Sequence, residues 1–202
     1  MLSLNKLNTN IMAVDAEAPT LMGGDQPLAI SAILYSPHGD ILSEFCGRID
    51  LTKEVLEKQD AWIMENIIPE IMEISNVYAD ESHLMSEFAK WYLANKENSI
   101  VVAHMCNPVE THLFIEMYKQ GFIGMWEQPT FYDVATILLL NGEDPWSVDN
   151  YNAKYGLDLS EVAGLKPHHP KYDVIATWKC FSHLTREDVE LPPTADLPMI
   201  DN

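Results

Sequence analysis

The chain has 202 residues, 47% of them hydrophobic and 21% charged, a balance that gives a single domain enough apolar surface for a core and argues against disorder. Twelve lysines and arginines stand against 31 aspartates and glutamates, a formal charge of −19. Such a chain repels a polyanion at long range, which excludes a duplex-coating protein held by many phosphate contacts. It does not exclude an enzyme that takes one strand end through bound cations, because that needs few basic side chains. Apolar runs such as 100–103 and 137–140 fall far short of the ~18 residues of a membrane span, so no membrane partner is expected. Residues 1–6 carry one lysine, no continuous apolar stretch and no small-residue cleavage site, unlike a secretory signal. Cys46, Cys106 and Cys180 are odd in number and far apart, which suits reduced thiols and a cytoplasmic location.

In chain order, 10–14 reads as a short buried strand, and 27–36 and 41–48 as two more, joined by the turn residues Pro37, His38, Gly39 and Asp40. Helical periodicity runs from Thr52 to about Asn76, with Pro69 expected to kink or divide it. A second helix spans 80–95, followed by a β-branched strand at 99–104. Helices are then expected at 110–119, 131–140, 147–155 and 170–184, the last opened by His169 before Pro170. Trp62, Trp91 and Trp178, set among aliphatics in these helices, are expected in the core. Residues 187–202 hold three prolines and five acids without a base, and read as an acidic tail behind a single domain at 1–186. Strands first, then alternation with helices, predict an α/β layer structure.

Three segments carry candidate chemistry. Asp15 and Glu17 follow the first strand, and residues i and i+2 of an extended chain share a face, so both carboxylates can converge on one hard cation such as Mg²⁺ or Mn²⁺. His168 stands in the loop before the last helix and Asp173 about one turn inside it. The stretch from Val101 through His104 to Glu110 runs from a buried strand into a helix and brings a third carboxylate source. Decoys occur: Asp188 and Glu190 repeat the first spacing, and His183 and Asp188 the second, but neither has the strand or the loop-to-helix setting. A zinc site from His104, Cys106 and His112, with His168, lacks any Cys-x₂-Cys partner. Between Val162 and Arg186 stand four basic residues and the single acid Asp173, so Lys166 and Lys171 are candidate phosphate contacts.

The order of these motifs resembles the DEDD exonucleases with a histidine in the third motif, which include ribonuclease T, oligoribonuclease and the proofreading subunits of bacterial replicases. HHPKYDVIATWKC (168–180) is similar to the family's closing motif, and DQPLAISAILYSPHGDI (25–41) to its second and third strands, with the likeness spanning about 11–185. The resemblance implies a ribonuclease-H-like fold, a mixed five-stranded sheet flanked by helices. It implies 3′→5′ hydrolysis of single-stranded nucleic acid with two divalent metals, Mg²⁺ or Mn²⁺. Asp15, Glu17 and Asp173 match the metal ligands and His168 the general base. Glu110 stands where the family has aspartate, one residue further from His104 than the common pattern. Leu21 and Met22 fall where an apolar side chain wedges the terminal bases, and His104 is a candidate substrate contact. The residues Pro19-Thr20 and the helical insert at 52–96 differ from short-RNA specialists and tilt the substrate toward DNA. A homodimer is compatible with this reading. The alternative is an idle member of the fold serving as a nucleic-acid or protein-binding subunit, to which Glu110 and the global acidity lend weight.

Overall fold

The computed structural model describes residues 8–19 and 27–185. Its strands are β1 (Asn10–Glu17), β2 (Ala29–Tyr35), β3 (Ile41–Ile49), β4 (Val77–Tyr78), β5 (Ser99–Ala103) and β6 (Phe131–Asp133). They form one mixed sheet in the order β4-β3-β2-β1-β5-β6. β1, β2 and β3 pair antiparallel, while β5 lies parallel to β1, β6 to β5 and β4 to β3. The turn between β2 and β3 closes through Ser36 N–H donating to Asp40 O at 2.8 Å, with Gly39 at φ +94°, where a side chain would be strained. The expected α/β sheet is present with six strands rather than five. The outermost strands have two and three residues, too few for a pattern of alternation to show in sequence.

Every residue of β2 is buried, so both faces of the sheet are covered. Helices α1 (Lys53–Leu56), α2 (Ala61–Asn66), α3 (Ile68–Ile71), α4 (Glu81–Asn95) and α5 (Val109–Lys119) come before β6; α6 (Val134–Leu140), α7 (Val148–Tyr155) and α8 (Pro170–Leu184) follow it. Met12, Val14 and Ala16 of β1 pack with Leu84, Phe88 and Phe114 of α4 and α5 on one face. Ile11 and Ala13 pack with Val174, Ala176 and Phe181 of α8 on the other. Alternation along β1 therefore sends Asp15 and Glu17, which share the parity of Ile11 and Ala13, to the α8 side.

Two segments depart from the sequence expectation. Residues 52–76 form three short helices: Asp60 caps α2 by accepting from Ile63 N–H at 2.8 Å, and Pro69 sits in the first turn of α3. The predicted helix at 131–140 starts only at Val134, because Phe131–Asp133 pairs with β5 and Asp133 then caps α6 through Ala135 N–H at 3.2 Å. The tryptophans also divide. Trp178 is buried and stacks on Tyr35 at 4.3 Å, and Trp91 packs half-buried against the core. Trp62 is not core: it is 52% exposed on the six-residue α2, which turns only Ile63 inward.

Candidate active site

Asp15, Glu17, Glu110, His168 and Asp173 line one cavity of about 320 Å³, together with His104. β1 continues past its ladder with β5, which ends at Ala13 opposite Val102. Beyond that point the Ala16 N–H finds a carboxylate in place of a strand: Glu110 Oε1 accepts it at 3.1 Å, across 94 residues of chain. Glu110 is only 4% exposed, so its longer arm reaches the site from the first turn of α5 and is pinned there.

The closing loop is built by local hydrogen bonds. His169 caps α8 with Nδ1 accepting from Lys171 N–H at 3.2 Å, and Pro170 occupies the first turn, where its missing N–H costs nothing. His168 takes φ +71°, a left-handed conformation that costs a non-glycine residue ~1 kcal/mol. Asp173 holds it there, Oδ2 accepting the His168 N–H at 2.8 Å. The His168 ring lies with Nδ1 3.8 Å from Glu17 Oε1, and Trp62 meets it edge-on with ring centroids 5.3 Å apart. Ligand atoms of Glu17, His168 and Asp173 all fall within 4.8 Å of one another.

Crowding shifts every acid here the same way. Burial, then the Glu110 charge, holds Asp15 well above the usual carboxylate range. Burial raises Glu17, reinforced by Asp15, Asp173 and Glu110. Burial and Asp15 raise Asp173 against the opposing His168 N–H bond. Glu110 is pushed up to about 8 by burial, despite two backbone hydrogen bonds. Burial lowers His168 and outweighs the opposite pull of Glu70 and Asp149. Asp15 Oδ2 is buried without a hydrogen-bond partner, and among the described residues no lysine or arginine lines the cavity. Unpaired buried carboxylates of this kind need compensating charge, and an oxygen-rich set fits a hard divalent cation.

That crowding carries a stability consequence. The native state binds more protons than the unfolded chain from about pH 4, the ordinary carboxylate value, up to the raised native values, about 8 for Glu110. The cluster's contribution is therefore fully present below that window and is lost as pH rises through it. Thermal melts in EDTA should show this loss, and Mn²⁺ should raise Tm more at pH 8 than at pH 5.5. An equal increment at both pH values would contradict the carboxylate cluster as the binding site.

Other candidates are placed differently. His104 lines the cavity, but its Nε2 lies 2.9 Å from Pro145 O; the carbonyl only accepts, so Nε2 carries the proton. Lys166 and Lys171 do not line the cavity; they pair with Glu70 at 3.4 Å and Glu44 at 2.9 Å. The tight ligand group contains none of His104, Cys106 and His112, and burial pushes the Cys106 thiol up to about 11, so the zinc reading finds no support among the described residues. Leu21 and Met22 lie outside the described residues, as do Asp188 and Glu190. The sequence reading missed Thr177, a buried hydroxyl residue lining the cavity one helical turn beyond Asp173, where the i,i+4 spacing was available to find it. It also missed Asp149, which accepts from Tyr172 Oη at 2.9 Å and raises Asp173; nothing local in sequence marks it.

No protein-family model matches the chain, and no curated protein matches it by sequence. Solved structures do. The nuclease domain of 3′hExo, a DEDDh family member bound to rAMP, superposes with a TM-score of 0.62 at 10% identity, covering 92% of this chain and 96% of that one. Cell-death related nuclease 4 (CRN-4) gives 0.55 at 12% identity, over 86% of this chain and 62% of that one. The metal-free E. coli ExoI–ssDNA complex gives 0.52 at 11% identity, and there the chain spans only 39% of the longer protein. The chain has the fold of the DEDDh nuclease domains. Among the described residues no helix is long and apolar enough to cross a membrane.

Proposed function

We propose that this chain is a 3′→5′ exonuclease that hydrolyses single-stranded nucleic acid, DNA in preference to RNA, with two Mg²⁺ or Mn²⁺ ions. The observation that carries this reading is the meeting of Asp15, Glu17, Glu110, Asp173 and His168 in one cavity, from three separate segments of the chain. The fold neighbours support it, since they are nuclease domains.

Asp15, Glu17 and Asp173 would hold the cations, with Glu110 contributing the oxygen not bonded to Ala16. Cations bound there supply Lewis-acid charge and lower the pKa of an attacking water. His168 accepts that water's proton at Nδ1, the ring nitrogen turned toward Glu17. Its lowered pKa keeps it neutral and ready to do so near neutral pH. The new P–O bond forms as the bond to the 3′ oxygen breaks, releasing a nucleotide 5′-phosphate, and the leaving 3′ oxygen of the shortened strand takes a proton from solvent water to become a hydroxyl. Asp173 fixes the His168 backbone, so one carboxylate serves both cation and base.

Calorimetric titration with Mn²⁺ tests the reading: the wild type should take two equivalents, and Asp15→Asn should lose them. A chain that binds single strands but no Mn²⁺ is the idle binding subunit instead. Glu110 gives a finer test. Glu110→Asp should retain measurable hydrolysis, whereas Glu110→Gln should weaken Mn²⁺ binding while circular dichroism stays native. Full activity in Glu110→Gln would assign the fourth carboxylate elsewhere.

A further inference from the structure

A second cavity of about 200 Å³ opens beside the first, and Met105 and Asn107 line both. Its outer wall is Trp146, which is 73% exposed. The backbone carrying that indole is fixed on two sides. Trp146 N–H donates to Asp144 Oδ1 at 3.0 Å, and the preceding Pro145 carbonyl accepts from His104 Nε2 at 2.9 Å. His104 itself lines the catalytic cavity, so one hydrogen bond ties the tryptophan loop to the site. The junction is equally fixed: Met105, 41% exposed, sits at φ +54° with its N–H held by Asp133 Oδ1 at 2.9 Å. Rigid backbone therefore presents two large apolar side chains to solvent, Met105 where the two cavities join and Trp146 on the second.

Charge decides what such a surface can hold. Among the described residues neither cavity is lined by a lysine or arginine, and Lys166 and Lys171 are engaged with carboxylates elsewhere. On a chain of net charge −19, no basic side chain among the described residues grips a strand's phosphates at the second cavity. The strand's bases carry no charge, and every base has a face that stacks on an aromatic ring regardless of sequence. Resting on the exonuclease reading, we infer that Trp146 and Met105 form a stacking subsite for a nucleobase neighbouring the nucleotide seated over the carboxylates. The cavity, smaller than typical whole-ligand pockets, is matched to a single base.

The test is a cycle of protein and substrate changes, using the full chain and short 5′-labelled single strands of DNA and of RNA. Trp146→Ala should raise KM by about fivefold to about a hundredfold, the range of one lost stacking contact, with Trp146→Phe retaining most of the affinity. Abasic residues are then placed singly at each of the last positions of the strand. At one position the abasic substitution should cost the wild type the same factor and cost Trp146→Ala nothing further. Full additivity at every position, or an unaltered KM in Trp146→Ala, overturns the subsite while leaving the exonuclease reading intact. Failure of the wild type to cleave either strand overturns the exonuclease reading, and the subsite with it.

Discussion

Asp15→Asn, Glu17→Gln and Asp173→Asn should each lose hydrolysis by several orders of magnitude while the far-ultraviolet circular dichroism stays native. Each change removes one negative charge from a cavity that has no positive side chain among the described residues to rearrange around it. Two dications cannot be held and neutralised by the acids that remain. The same variants should behave oppositely in stability. Asp15 is buried with an orphaned Oδ2 and a pKa forced upward, so Asp15→Asn should raise the metal-free Tm at pH 8. Loss of activity coupled to gain of stability is the signature of a strained functional cluster rather than of a broken fold. Asp188→Ala and Glu190→Ala, which repeat the motif spacing outside the described residues, should leave the rate unchanged. An active Asp15→Asn would place the chemistry elsewhere.

His168→Ala should reduce single-turnover rate by roughly 10²–10⁴-fold, the usual contribution of a positioned general base. The pH profile carries the sharper information. The neutral imidazole is the competent form, and burial lowers its pKa, so the wild-type rate should rise with pH along a limb centred below the ordinary histidine value of about 6.5. Cations bound beside the ring push that limb in the same direction. His168→Ala should lose the limb. The neighbouring His169→Ala removes the cap of α8 and should cost about 1 kcal/mol of stability with little change in rate. Equal rate losses in the two variants, or an unaltered profile in His168→Ala, would contradict the assignment of roles.

What the sequence made legible follows from how local each signal is. The β2–β3 hairpin announced itself through 37–40, and α8 through His169-Pro170, because turn and cap chemistry lies within a few residues. Asp15 and Glu17 could be placed on one face from the period of a strand alone. Tertiary pairing was not readable in that way. β6 exists because Phe131 and Tyr132 meet Val101 and Val102, and their apolar character alone could equally have continued α6 upstream. Lys166 and Lys171 stood in a positive window of sequence, yet Glu70 and Glu44, from distant segments, neutralise both. Trp62 looked like core because its neighbours are aliphatic, but a six-residue helix offers the core one narrow side. Trp146 carried no motif at all, and its place beside the cavity comes only from the loop between α6 and α7 meeting His104 through the Pro145 carbonyl.

The chemistry proposed for this carboxylate cluster is hydrolysis from the 3′ end of a strand. It is tested most directly by incubating the chain with 5′-labelled single-stranded DNA and RNA in Mg²⁺ or Mn²⁺, beside EDTA and Asp15→Asn controls. The expected result is a ladder shortening one nucleotide at a time from the 3′ end, with DNA degraded faster, and intact strands in both controls. Internal cuts, shortening from the 5′ end, turnover that persists in EDTA, or no turnover with Mn²⁺ bound would contradict it.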